Sequence, residues 1–370
     1  MIRGSLLVNL KTTYTRFERS ISSASLLGGF VFDAVTLKRV DAFWENFWIV
    51  AHLAAVAACI ILLNRPVNRS ENRGAETGEP GKAHFWFLNA LQFLFGGLLS
   101  TYLVFYFRSG SLRVSWPFFV ILGAAFLANE RLKQYYARLY FQVGFLYLSL
   151  FCFTIFILPV LLHRIGPFIF LLSGAVSLAL MYLFLLLLRF AGDGELVAGR
   201  RRTLHTCIGA IFLTTNVFYF LNLIPPLPLS LQDASVHHAI ARNAEGNYAV
   251  ESENPGLLRF FRFTETFHGR AGAPVYAYSA VFSPTSLNTK IVHEWQFYDP
   301  KRGWTTTSRI ELPVRGGRGR GYRTFSVSAA VAAGAWRVNV ETPGGALLGR
   351  LRFNVVLQEA EPALITQIKN

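Results

Sequence analysis

Asn222-Leu223-Ile224-Pro225-Pro226-Leu227-Pro228-Leu229 is the stretch at which this chain changes character. Each of its prolines fixes φ and lacks an N–H, so together they end a helix and stiffen the chain that follows. Nearly all the long apolar runs lie before it. After it the residues form a water-soluble mixture that alternates apolar and polar side chains. The chain has 370 residues, 52% hydrophobic and only 15% charged, too apolar for an ordinary soluble protein.

Crossing about 30 Å of hydrocarbon takes roughly 20 apolar residues at 1.5 Å each. Working back from the prolines, seven segments are candidates: 21–37, 46–63, 84–107, 114–129, 139–163, 167–190 and 203–224. The first and fourth are short. Lys and Arg between them alternate. Arg3, Lys11, Arg16 and Arg19 precede the first. Arg65, Arg69, Arg73 and Lys82 follow the second, Arg131, Lys133 and Arg138 the fourth, and Arg189, Arg200, Arg201 and Arg202 the sixth. The intervening loops carry only Lys38 and Arg39, Arg108 and Arg113, and Arg164. By the positive-inside rule the N-terminus is cytoplasmic and everything beyond Ile224 is outside. The net charge of +15 is then a matter of topology, and nucleic acid is not expected as a partner.

Residues 1–20 show no cleavable signal and read as a cytoplasmic segment, either a basic tail or a short interfacial helix. Inside the spans, Asp33 stands out because an ionised carboxylate in lipid is costly unless paired or wetted. With Arg39 and Asp41 it forms a candidate intramembrane polar cluster, either an interfacial ion-pair group or part of a transport path. His52, Gln92, Gln142, His205 and Asn216 read as interhelical hydrogen-bonding groups, and Gly96, Gly97, Ser173, Gly174 and Ser177 as close-packing positions.

Working forward from the prolines, strands are predicted at 275–282, 291–298, 304–312, 322–328, 335–341 and 347–355, separated by turn residues such as Asp299-Pro300-Lys301-Arg302-Gly303 and Pro343-Gly344-Gly345. Trp336, Val338 and Val340 share one face; Arg337, Asn339 and Glu341 share the other, which is expected to be wet. The reading is an α-helical transmembrane bundle of about seven spans (21–226), a connecting segment (227–270), an all-β, immunoglobulin-like antiparallel sandwich (271–358) and a tail (359–370). Cys59, Cys152 and Cys207 all fall in apolar segments, so no disulfide framework is expected in the β domain.

The residues carry a resemblance. Gly29-Phe30 with Asp33, Thr36-Leu37 and Arg39-Val40-Asp41, then Ser115-Trp116-Pro117-Phe118 with Asn129-Glu130, then the proline stretch, are matched in the C-terminal part by four further motifs. These are His293-Glu294-Trp295, Gly321-Tyr322-Arg323-Thr324-Phe325-Ser326, Gly334-Ala335-Trp336-Arg337-Val338 and Gly349-Arg350 before Phe353. Together they resemble a bacterial family of uncharacterised multi-spanning membrane proteins whose C-terminal region is domain of unknown function 2914. The resemblance implies this architecture and no activity, substrate or catalytic residue.

No catalytic constellation is read from the chain, and no cofactor or metal is expected. His237, His238, His268 and His293 lack ligand spacing, and no serine stands in a nucleophile elbow. The candidate ligand-binding residues are Arg315, Arg318, Arg320 and Arg323, whose glycine-rich run exposes backbone N–H groups and guanidinium forks to anions, or else is a solvated hairpin tip. Trp295 and Tyr298 join them because Trp295, Tyr298, Trp304 and Trp336 can stack on sugars, unless alternation puts them in the core. The expected function is a non-enzymatic binding or assembly module on a bacterial inner membrane. Its partners would be the bilayer and periplasmic envelope proteins or anionic glycolipids. A transporter or channel with an accessory β domain, and a transferase acting on lipid-linked substrates, are the alternatives.

Overall fold

The computed structural model describes residues 28, 30–37, 41–65, 82–109, 112–131, 135–136, 138–243, 247–253, 264–284, 287–318, 320–329, 331–360 and 362–369, with the backbone alone at 82–85, 112–114 and 130–131. The segment 1–20 and Arg39 lie outside them. Packing divides the chain into two compact units. One comprises 1–106, 117–158 and 170–218; the other comprises 107–116, 159–169 and 219–370.

The helices are α1 (Phe43–Leu63), α2 (Lys82–Ser109), α3 (Leu112–Arg131), α4 (Leu139–Leu162), α5 (Pro167–Ala191), α6 (Gly194–Gly199) and α7 (Arg201–Phe220). Residues 30–36 are also helical. Among the described residues five helices are long and apolar enough to cross a membrane, namely α1, α2 from Trp86, α4, α5 and α7. The fourth expected span is α3, whose apolar part is the shorter stretch Ser115–Asn129. Of the first expected span, residues 21–27 and 29 lie outside the described residues. α5 opens on Pro167, where the missing N–H costs no hydrogen bond. α7 stops at Phe220, before the expected Ile224, because Asn222 takes a left-handed φ of 56° and donates its N–H to the Tyr219 carbonyl.

Helix packing follows the small and polar residues. A Cβ on Gly174 would stand 3.0 Å from the Phe212 ring and 3.5 Å from Phe151, so α5 approaches α7 and α4 closely there. A Cβ on Gly97 would meet the His52 ring at 3.6 Å, an ordinary packing contact. Gln142 bonds across helices as expected, whereas His52 and Asn216 bond backbone carbonyls one turn back in their own helices.

A buried polar chain ties one set of helix ends together. The Asn64 amide donates to the Gln142 side chain at 2.7 Å, and Gln142 donates to the Tyr136 carbonyl. Tyr136 donates its hydroxyl to Asn129, which donates to the Gln92 carbonyl at 3.0 Å. α1, α2, α3 and α4 are thereby linked, as buried polar groups in a helical bundle require.

Among its described residues the second unit holds eleven strands: β1 (Ser230–His237), β2 (Ala239–Arg242), β3 (Tyr248–Glu253), β4 (Glu265–Gly269), β5 (Val275–Phe282), β6 (Thr289–Asp299), β7 (Gly303–Val314), β8 (Tyr322–Ser328), β9 (Gly334–Glu341), β10 (Leu347–Leu357) and β11 (Leu364–Lys369). They form three sheets, ordered β1-β5-β8, β4-β10-β9-β6-β7 and β11-β3-β2. The first two face each other as a sandwich around Val236, Val275, Ala277, Trp295, Trp336, Val338, Leu351 and Phe353. A second cluster gathers Leu229, Val281, Leu287, Ile291, Val314, Val340 and Leu348.

All six expected strands are present. Four more, β1 to β4, occupy the stretch 227–270 read as a connection, and β11 occupies the expected tail. The expectation of a wholly antiparallel sandwich is corrected too, since β4 pairs with β10 in parallel.

Candidate functional site

Residues 315–318 and 320–321 lie between the two sheets. β7 is an edge strand of the five-stranded sheet and β8 an edge strand of the three-stranded one, so the glycine-rich segment is a crossover, not a hairpin tip. It is pinned. Gly317 donates its N–H to the Ser283 carbonyl, and a Cβ on Gly316 would lie 1.8 Å from the Pro284 carbonyl oxygen. Gly321, at φ 88°, leaves room only for hydrogen against Ala280 and Val281. Arg315, Arg318 and Arg320 all project outward and exposed from this loop. Arg318 also sits 5.5 Å from the Tyr322 ring centre.

Two of the expected binding residues have other work. Arg323, on β8, donates to the Asn247 side chain at 3.2 Å and the Lys369 carbonyl at 3.0 Å, holding the β2–β3 turn and β11. Trp295 is fully buried between the sheets, because its position on β6 alternates inward with Ile291 and His293. Tyr298 points the other way and is 43% exposed, in edge contact with Trp304 at 5.3 Å. In the helical unit, Asp33 accepts a 2.5 Å hydrogen bond from the Ser100 hydroxyl.

The core holds an arrangement that sequence reasoning did not find. Ser279 lies 2.8 Å from His293 Nε2, Ser326 lies 2.8 Å from His293 Nδ1, and Trp295 donates its indole N–H to Ser326 at 3.0 Å. By distance it looks like a serine–histidine pair. All four side chains are buried, and burial pushes the imidazole down to about 4, so it is neutral at pH 7. Such a group cannot meet a substrate; it satisfies polar atoms in an apolar core.

The four histidines also separate. His237 bonds Ser235 at 2.7 Å, whereas His238 and His268 both turn to Glu253. Glu253 accepts His268's backbone N–H at 2.7 Å and its Nδ1 at 2.6 Å, with His238 Nε2 at 3.2 Å. Burial works against the carboxylate, but these bonds outweigh it and hold its pKa below the usual range. His238 stacks on Phe267 with ring centres 4.1 Å apart. The clasp joins β3, β4 and the β1–β2 corner. Among the described residues no group of three or more His, Cys, Asp or Glu side chains is arranged to hold a metal ion.

The outward face of β10-β9-β6-β7 is a continuous polar surface. Glu294 accepts from Asn339 at 2.8 Å and from Thr306 at 2.9 Å; Arg350 donates to Asn339 at 2.6 Å; Arg337 donates through Nε to Gln296 at 2.5 Å. Arg309 Nη2 lies 2.9 Å from Glu341 Oε1, an ionic contact without an aligned hydrogen bond. Glu294 is opposed by burial, yet its hydrogen bonds and Arg309 keep it below the usual carboxylate range. Glu341 is held above that range by burial and by the nearby Glu294 charge. The face expected to be wet thus buries Asn339 and Glu341 beneath arginine side chains.

Residues 288–355, spanning β6 through most of β10, match the family described as "Protein of unknown function (DUF2914)". This chain carries a C-terminal DUF2914 domain. The DUF2914 segment contains His293, Trp295, the arginine crossover and the polar sheet face, while the Glu253 clasp lies before it. No curated protein matches the chain. Among solved structures, an immunoglobulin-like protein from Pseudomonas aeruginosa is 14% identical, covers 35% of this chain and 98% of its own, and has a TM-score of 0.21. The alkylpurine DNA glycosylase AlkC of Pseudomonas fluorescens is 9% identical, with 84% and 98% coverage and a TM-score of 0.22. At these scores neither bears on fold or activity.

Proposed function

We propose that this chain is an integral protein of a bacterial inner membrane, its N-terminus cytoplasmic, whose DUF2914-bearing β unit stands in the periplasm as a non-enzymatic binding module for anionic glycolipid headgroups. The five long apolar helices and the alternation of basic residues between apolar segments support the membrane placement. The short link from Phe220 to Ser230 keeps the β unit near the bilayer.

The observation that carries the binding role is the pinned crossover presenting Arg315, Arg318 and Arg320 to solvent. Guanidinium forks on a loop whose backbone is already ordered lose little entropy when they grip phosphate or carboxylate. Full-length protein in nanodiscs of neutral lipid is expected to bind lipopolysaccharide, and Arg318→Ala with Arg320→Ala to weaken that binding at least tenfold. Unchanged affinity in the double variant would contradict the role of the loop. Capture of envelope proteins in place of the glycolipid would move the reading to assembly.

One observation favours a second reading, a transporter. Asp33 is hydrogen-bonded to Ser100 within the helical unit. Solute or proton flux in proteoliposomes that Asp33→Asn abolishes would establish it, and an absence of flux would remove it.

A further inference from the structure

Trp304 and Arg337 form a second site, distinct from the crossover. The Arg337 guanidinium lies over the Trp304 ring, 4.2 Å from its centre, and Tyr298 closes the edge of the indole. Gln296 fixes Arg337 through Nε, and among the described residues no hydrogen bond or ion pair engages its two terminal nitrogens. The group is also partly desolvated, which holds its pKa below the usual range.

Pairing between β9 and β10 places Arg352 directly across from Arg337 on the same face, with Arg350 two positions along, opposite Asn339. Like charges in directly opposed positions destabilise a sheet, and an anion between them would remove that cost. The carboxylates of this face are already committed. Glu294 is bonded by Asn339 and Thr306, Glu341 is in contact with Arg309, and Glu311 pairs with Lys290. The surface therefore carries unspent positive charge beside an aromatic platform.

We infer that the Trp304–Arg337–Arg352 face binds an acidic saccharide, a sugar ring bearing a carboxylate or a phosphate. The ring stacks on the exposed Tyr298 and the half-buried Trp304, and the anion sits between the two guanidinium groups. Aromatic rings match the apolar faces of sugars, and a planar guanidinium fork matches either anion. The site is at the other end of β7 from the crossover, roughly 30 Å away at 3.3 Å per residue.

The test is saturation-transfer NMR on full-length protein in uncharged nanodiscs, with galacturonic acid, galactose 6-phosphate and galactose as probes. Transfer to one or both acidic sugars and at least tenfold weaker binding of galactose is expected; which acid is preferred identifies the anion. Arg337→Gln and Trp304→Ala should each weaken the acidic sugar at least tenfold, while Trp304→Phe retains most of the binding. Arg318→Ala with Arg320→Ala should leave it unchanged, so failure of the crossover reading does not affect this one. Equal binding of galactose, displacement of the sugars by inorganic phosphate or acetate at matching concentration, or full binding by Arg337→Gln would overturn the proposal.

Discussion

Ser279 and His293 sit 2.8 Å apart in the fully buried centre of the β sandwich, on strands of opposite sheets. The bond spans the two layers, and Ser326 on β8 completes it from the other ring nitrogen. Its cost and benefit depend on the imidazole staying neutral.

His293 has a folded pKa of about 4 against an ordinary 6.5. Between these values the unfolded chain binds the proton and the folded one does not, so stability is full above pH 6.5 and falls as pH drops toward 4. A shift of this size corresponds to about 3 kcal/mol lost across that window. Denaturant unfolding followed by tryptophan fluorescence between pH 7.5 and 4 checks it, and His293→Gln should flatten the slope while lowering stability throughout.

Glu253 makes a separate contribution at lower pH. Its carboxylate is held below the usual range by His268 and His238, so it stabilises the fold above about pH 4.5 and loses that effect as pH falls through its folded value. Glu253→Gln is expected to lower the unfolding midpoint at pH 7 and to remove the part of the acid loss that remains below pH 4.

The crossover depends on glycine. Replacing Gly316 with alanine drives a methyl group into the Pro284 carbonyl. The expected loss is about 1–3 kcal/mol, read as a lower thermal midpoint, with Gly344→Ala, where a Cβ meets only the Thr342 hydroxyl at 3.9 Å, as a near-neutral control.

In the helical unit, Gln142→Leu removes the central link of the polar chain, leaves the Asn64 amide only its bond to the Ile60 carbonyl and strands the Tyr136 carbonyl. Helix bundles in membranes lose about 1–2 kcal/mol for such a change. Unfolding of the purified protein in mixed micelles by added SDS measures it.

Two strands were legible from residues alone: β5, a nearly continuous apolar run, and β8 begin and end where they are expected, at Val275–Phe282 and Tyr322–Ser328. β1 was not, because a bulge between Leu231 and Asp233 breaks its period and its buried positions bunch at Ser235, Val236 and His237. β3 buries only Val250, and β11 exposes Leu364, Ile365 and Ile368, so neither shows a two-faced signal. Long-range pairing, not local composition, makes them strands. The candidate site was half legible. The arginine-glycine run stands out in one dimension, but the sorting of Trp295 inward and Trp304 outward turns on the irregular register between β6 and β7, where Trp295 faces Ser308 and Gln296 faces Thr306. Likewise, only the pairing of β9 with β10 brings Arg352 opposite Arg337.

The side of the membrane on which the β unit lies can be read directly. With Cys59, Cys152 and Cys207 replaced by alanine, Lys301→Cys on the exposed β6–β7 turn should react with a membrane-impermeant maleimide in cells whose inner membrane is intact. Arg201→Cys, in the first turn of α7, should react only after that membrane is permeabilised. Labelling of Lys301→Cys only after permeabilisation would put the β unit in the cytoplasm and contradict the account.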